Sequence, residues 1–168
     1  TPSTYEDTLK AIAFIEEAEK LRPDEWRFPY WIGYNYIEIE KYEKAAKYYE
    51  KASKLPGALP FLRYSPIKLL TMTDELEAAI IHTKGLLESI DDKETQEWIL
   101  IKLQWLHHMY SLEQLSRTYF DQTGQYPADL DDLSQAGLIS EIPTDDFGNG
   151  FYLVHPTDPV KGYMVRSR

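Results

Sequence analysis

Thirty-four residues separate Ala11 from Ala45, Ile15 from Tyr49 and Ala18 from Ala52. A fixed spacing of this length constrains the fold more than any other feature, because a unit of that size makes one helical hairpin too small to bury its own apolar face. Such hairpins stack on one another, and a stack offers surface rather than a reaction cavity. The spacing therefore predicts a binding protein and leaves its partner unnamed.

The middle copy is the clearest. From Trp26 the chain runs through Pro29, Ile32, Gly33, Tyr36, Ala45, Tyr49, Ala52 and Pro56. Gly33 and Ala45 are small enough to let two antiparallel helices approach, and Ile32, Tyr36, Tyr49 and Ala52 fill the seam. Pro23 and Asp24 predict the start of the first helix, Glu40 and Lys41 the turn, and Tyr42 to Lys54 the second helix, which Leu55, Pro56 and Gly57 close. The set resembles the tetratricopeptide repeat. It departs at Pro29, where a large apolar residue is usual, and this predicts a helix that bends or begins late. One period earlier, Ala11, Ile15 and Ala18 fall on a predicted helix from about Tyr5 to Leu21, whose partner would lie before Thr1. One period later, Ile67, Leu70, Leu76, Ala79, Thr83 and Leu86 keep size and polarity but lose the Gly, the Tyr and the last Ala. An ordinary amphipathic helix explains that third copy more simply.

After Asp91 and Asp92 a long helix is predicted to about Gln122, with Trp98, Ile101, Trp105, Met109, Leu112, Leu115 and Tyr119 at steps of three and four. Ile99, Leu100, Leu103 and Leu106 make its start apolar nearly all round, which predicts burial on several sides. Thr123 and Gly124 end it, Pro127 begins a short helix through Leu133, and Ala136 and Gly137 end that. Phe151 to Val154 and Gly162 to Val165 predict an antiparallel strand pair joined through His155 to Val160. Two such strands must lie on the long helix to be stable.

Gly124, Tyr126 and Pro127, followed by Pro143, Asp145, Asp146, Phe147, Gly148 and Asn149, resemble the C-terminal half of bacterial type IV pilin-like proteins, above all the major pseudopilin of type II secretion systems. Asp146 stands where that family has Pro. The resemblance implies a fold fragment and a bacterial envelope setting, periplasmic or membrane-anchored, with a cytoplasmic location as the alternative. It implies neither filament formation nor calcium, since the pilin N-terminal apolar helix and the calcium loop after the sheet have no counterpart here. The expected fold is mostly α. Tetratricopeptide-like hairpins over residues 1–91 stack on a long helix, and residues 92–168 hold that helix and a small α+β module with a two- to three-stranded antiparallel sheet.

The net charge is −10, from 18 basic and 28 acidic residues, and no segment collects Lys and Arg. Phosphate neutralisation carries nucleic-acid affinity, so no nucleic-acid partner is expected, and anionic membrane surfaces are disfavoured for the same reason. Cys is absent, which removes disulfides, thiolate nucleophiles and cysteine-bound metals together. The longest apolar run, Trp98 to Leu106, is interrupted by Lys102 and Gln104 and falls short of a membrane span. The chain opens without Met and in mid-repeat, as expected if an N-terminal targeting or anchoring segment precedes Thr1, though a fragment excised from a longer chain would look the same. Any membrane contact is expected through such an anchor alone.

Reaction chemistry is sparse. His107 and His108 point about 100° apart on one helix and cannot share a metal, and His82 and His155 have no partner nearby in sequence. Asp129, Asp131, Asp132, Asp145, Asp146 and Asn149 do not match the spacing of an EF-hand loop, and capping and turn formation account for them. No phosphate loop, nucleophile elbow or triad can be picked out. Neither catalysis, nor a metal, nor a cofactor is expected. The partner class is another protein or peptide, and the candidate binding residues are Arg27, Tyr30, Trp31 and Tyr34. In tetratricopeptide proteins these positions line the concave groove, away from the Ile32, Gly33 and Tyr36 seam, and large aromatics dominate binding energetics. The same face would also suit the long Trp98 helix or the C-terminal module as a cap.

Overall fold

The computed structural model describes residues 4–73, 76–145, 148–154 and 164–167. The chain divides into two compact units, Thr1–Glu75 and Leu76–Arg168. The described residues are mostly helical, with one small antiparallel sheet near the C-terminus.

In the first unit, α1 (Tyr5–Leu21) begins at a capping box, in which Thr4 Oγ1 accepts from Asp7 N–H and the Asp7 carboxylate accepts from Thr4 N–H. The next helix, α2 (Arg27–Glu38), starts later than Pro23 and Asp24 suggest. Pro29 explains the delay. It lies in the first turn, where a missing N–H costs nothing, between the Phe28 N–H bonded to Glu25 O and the Tyr30 N–H bonded to Trp26 O. A tight turn leads to α3 (Tyr42–Ser53), a 3-10 turn (Pro60–Arg63) and α4 (Ser65–Thr71). Packing follows chain order: α1 on α2, α2 on α3, and α3 on α4 and the 3-10 turn. Ile32, Gly33, Tyr36, Ala45, Tyr49 and Ala52 are all buried in the α2–α3 hairpin.

Two expectations from the period shift. In α1 the buried residues are Thr8 and Ile12, while Ala11 is exposed. The face that counts on α1 is the one turned to α2, and its acidic edge meets α3, where Tyr48 Oη donates to Glu16 Oε1 at 2.8 Å and Lys51 Nζ lies 2.9 Å from Glu19 Oε2. The third copy is divided. Ile67 and Leu70 lie in α4 of the first unit, whereas Leu76, Ala79, Thr83 and Leu86 lie in α5 (Leu76–Glu88), which packs on α6 (Lys93–Thr123) in the second. The division between units thus falls at Glu75 rather than Asp91, because the apolar face of α5 is buried on α6.

The long helix has the ends its sequence demands. Asp92 accepts from Thr95 N–H at 2.8 Å, and Gly124 closes the helix at φ 74°. Its buried line is Ile99, Leu106, Met109, Leu112, Glu113 and Ser116, whereas Trp98, Leu100 and Ile101 are exposed. Burial on several sides is therefore not what its first half shows; α5 covers one face of it. The short helix α7 (Asp131–Gln135) starts four residues after Pro127, with Asp129 Oδ1 accepting from the Asp131 and Asp132 N–H groups.

Strands β1 (Phe151–Val154) and β2 (Met164–Ser167) pair antiparallel with Val154 opposite Met164 and Phe151 opposite Ser167. Among the described residues the sheet has two strands, and beside it stands an isolated bridge between Thr144 and Gly150. Gly162, Tyr163, the His155 to Val160 link, and Asp146 and Phe147 lie outside the described residues. The pair docks on α6 through β2: Val165 is fully buried, its N–H donates to Glu113 Oε1 at 2.9 Å, and Arg166 Nη1 lies 3.6 Å from the same oxygen.

Candidate functional site

The outward face of α2 carries the candidate binding residues. Arg27, Trp31, Tyr34 and Glu38 follow one another at steps of four, three and four, the spacing that keeps side chains on one helix face, and all four are exposed. Trp31 retains 48% and Tyr34 41% of its accessible surface, and the two rings are in contact on that face.

These rings are exposed but not loose. Tyr34 meets Trp31 edge to face at 5.6 Å, and Trp31 meets Tyr30 at 5.0 Å. Tyr30, half-buried, stacks on Tyr49 of α3 at 5.6 Å and lies edge-on to Phe61 at 6.3 Å and tilted against Trp26 at 5.8 Å. Of the four residues singled out from the sequence, Arg27, Trp31 and Tyr34 thus point outward, and Tyr30 ties them to the interior. Burial of Tyr49 pushes its phenol up to about 12, so the inner end of this chain of rings stays neutral at any physiological pH.

The ends of the stripe are charged. Arg27 Nη1 lies 3.5 Å from Glu25 Oε2, a carboxylate equally distant from Arg22, and its guanidinium stands 5.9 Å from the Trp26 ring centre. At the other end, the Glu38 charge, and then its hydrogen bond, push the Tyr34 phenol above its ordinary value. Asn35 Nδ2 donates to Trp31 O at 2.7 Å, which leaves the turn beneath the indole firmly held.

Glu38 and Phe61 were not among the residues singled out from the sequence. Glu38 had a signal, its place four residues beyond Tyr34 on the same face. Phe61, 46% exposed, sits in the 3-10 turn between α3 and α4 and is brought to Tyr30 only by folding.

His107 Nδ1 lies 2.8 Å from Leu103 O, and His108 packs edge-on to Phe151 at 6.0 Å. Asp145 holds its turn by accepting from Asn149 N–H at 2.7 Å and Asn149 Nδ2 at 3.0 Å. Among the described residues no group of three or more His, Asp or Glu side chains is arranged to hold a metal ion, and no helix is long and apolar enough to cross a membrane. No protein-family model, curated protein or solved structure matches this chain.

Proposed function

We propose that the chain is a non-enzymatic interaction module of the tetratricopeptide type, whose first unit holds another protein or peptide against the outward face of α2. The observation that carries this reading is the exposure of Trp31 and Tyr34 on rings already fixed by their neighbours. Covering what remains of each ring would contribute about 2–3 kcal/mol. Little ordering cost opposes that gain, because edge-to-face contacts through Tyr30 have already restricted the side chains. A surface ion pair contributes at most about 1 kcal/mol, so the aromatics set affinity and the −10 charge sets solubility and encounter rate.

The setting we assign is the bacterial envelope, from the resemblance of the C-terminal segment to pilin-like proteins. A second reading makes the chain a subunit or regulator of a type IV pilus or type II secretion-like system, acting through its second unit. What favours it is the strand pair held on a 31-residue helix through Glu113.

Affinity capture from cells that carry the protein separates the two. Trp31→Ala with Tyr34→Ala is expected to lose the major partner while circular dichroism stays native. Undiminished capture by the folded double variant would move the working surface to the second unit.

A further inference from the structure

The charges at the two ends of the α2 stripe oppose the helix's own dipole. Carboxylates are the stabilising choice in a first helical turn and cations in the last. The neighbours obey: α1 opens with Glu6 and Asp7 and ends with Lys20, and α3 opens with Glu43 and ends with Lys51. In α2 the first turn has no acid and begins with Arg27, while the last turn has no base and ends with Glu38. Glu38 adds to the dipole at its end; at the other, Arg27 and Arg22 share the one Glu25 carboxylate, whose Oε1 also accepts from the Arg27 N–H, so two guanidinium groups meet a single carboxylate there. Local rules broken together on an exposed face mark a surface shaped by something other than stability.

We propose that this face takes an extended peptide segment in one polarity, with a carboxylate side chain at Arg27, a basic side chain at Glu38, and apolar side chains between them on Trp31 and Tyr34. The inference rests on the reading that α2 is the binding face. Eleven helical steps place the charged ends about 16 Å apart, which an extended segment spans in about five residues. A helical partner fits less well: it needs a broad apolar stripe, and this one is a single column two aromatic residues long.

A random peptide library displayed on phage, panned against the whole chain, tests this. Three proteins are compared: the wild type, Trp31→Ala/Tyr34→Ala, and the exchange Arg27→Glu/Glu38→Arg. The exchange agrees with the dipole but sets a carboxylate at position 27 beside Glu25, so circular dichroism and the denaturation midpoint first establish that the exchanged protein folds. Peptides selected on the wild type are expected to lose binding to the aromatic variant and to weaken about ten-fold or more on the exchanged protein. Swapping the acid and base within such a peptide is expected to reverse that preference. Peptides that need Trp31 and Tyr34 but bind the wild-type and exchanged proteins equally would overturn the polarity and keep the binding face. A library that yields no binder, or only binders indifferent to the aromatic variant, would overturn both.

Discussion

A β-carbon placed on Gly33 would come within 2.5 Å of Tyr49 Cδ1, 2.7 Å of Cε1 and 3.2 Å of Ala45 O. The ring cannot swing away cheaply, since it is buried and stacked on Tyr30. Gly33→Ala would gain about 0.8–1 kcal/mol of helix propensity, but overpacking against a pinned ring costs more, and a net loss of about 1–2 kcal/mol is expected in chemical denaturation. In a Tyr49→Ala background the same substitution is expected to turn from a loss into a gain, and a loss that persists there would refute the ring as its cause. Tyr49 also imposes a pH dependence. Its phenol is raised from 10 to about 12, chiefly by burial, so the folded chain holds the proton more tightly than the unfolded one. The stability it contributes is complete below pH 10 and is lost as pH climbs from 10 to about 12. Tyr49→Phe is expected to flatten the fall of the denaturation midpoint over that window. Some slope will remain from Tyr48, which burial and its bond to Glu16 also raise.

Element ends were legible because they are written in local chemistry. Thr4 with Asp7, Asp92 with Thr95, and Gly124 in the left-handed region each sit where the chain alone places them. Faces were harder. The Trp98, Ile101 and Trp105 line satisfies helical spacing as well as the Ile99, Leu106 and Met109 line that is buried, and only the position of α5 chooses between them. The turn at Glu40 and Lys41 lies where it was expected but in an unexpected form: α2 closes with Glu40 at φ 57°, while Glu40 N–H bonds to Ile37 O and Lys41 N–H to Tyr36 O, a Schellman arrangement that normally uses Gly. A left-handed residue other than Gly costs about 1–2 kcal/mol, and the greater freedom of Gly in the unfolded chain returns roughly 0.5–1 of it. Glu40→Gly is therefore expected to stabilise the first unit by about 0.5–1 kcal/mol, visible as a higher denaturation midpoint; an unchanged or lower midpoint would show that the exposed Glu40 side chain has a role of its own. In the second unit, Glu113→Leu would leave the Val165 N–H buried without its acceptor, at a cost of about 1–3 kcal/mol. Hydrogen exchange at Val165 should accelerate while the α5–α6 pair stays protected, and Glu113→Gln, which keeps an acceptor oxygen, should retain most of the protection.

At the scale of the molecule, the repeat pattern placed Arg27, Trp31 and Tyr34 outward because it fixed which side of α2 faces the seam. It could not place the division between units, since the apolar face of α5 suits a stacked repeat as well as it suits α6. That choice was made by tertiary packing, which gives the chain two cores: Ile32, Ala45 and Ala52 in the first unit, and Ile99, Leu106 and Leu112 in the second. Gly33 borders Tyr49 and Ala45 while Glu113 holds Val165 and Arg166, and sites without shared partners usually add to within about 0.3–0.5 kcal/mol. Gly33→Ala and Glu113→Leu combined should therefore destabilise by the sum of their separate effects. Exchange measured peptide by peptide should show each loss confined to its own unit, with α1 to α4 responding to position 33 alone and the β1–β2 pair to position 113 alone. A combined loss departing from the sum by more than about 1 kcal/mol, or faster exchange in α2 and α3 caused by Glu113→Leu, would show that the two units unfold as one cooperative body.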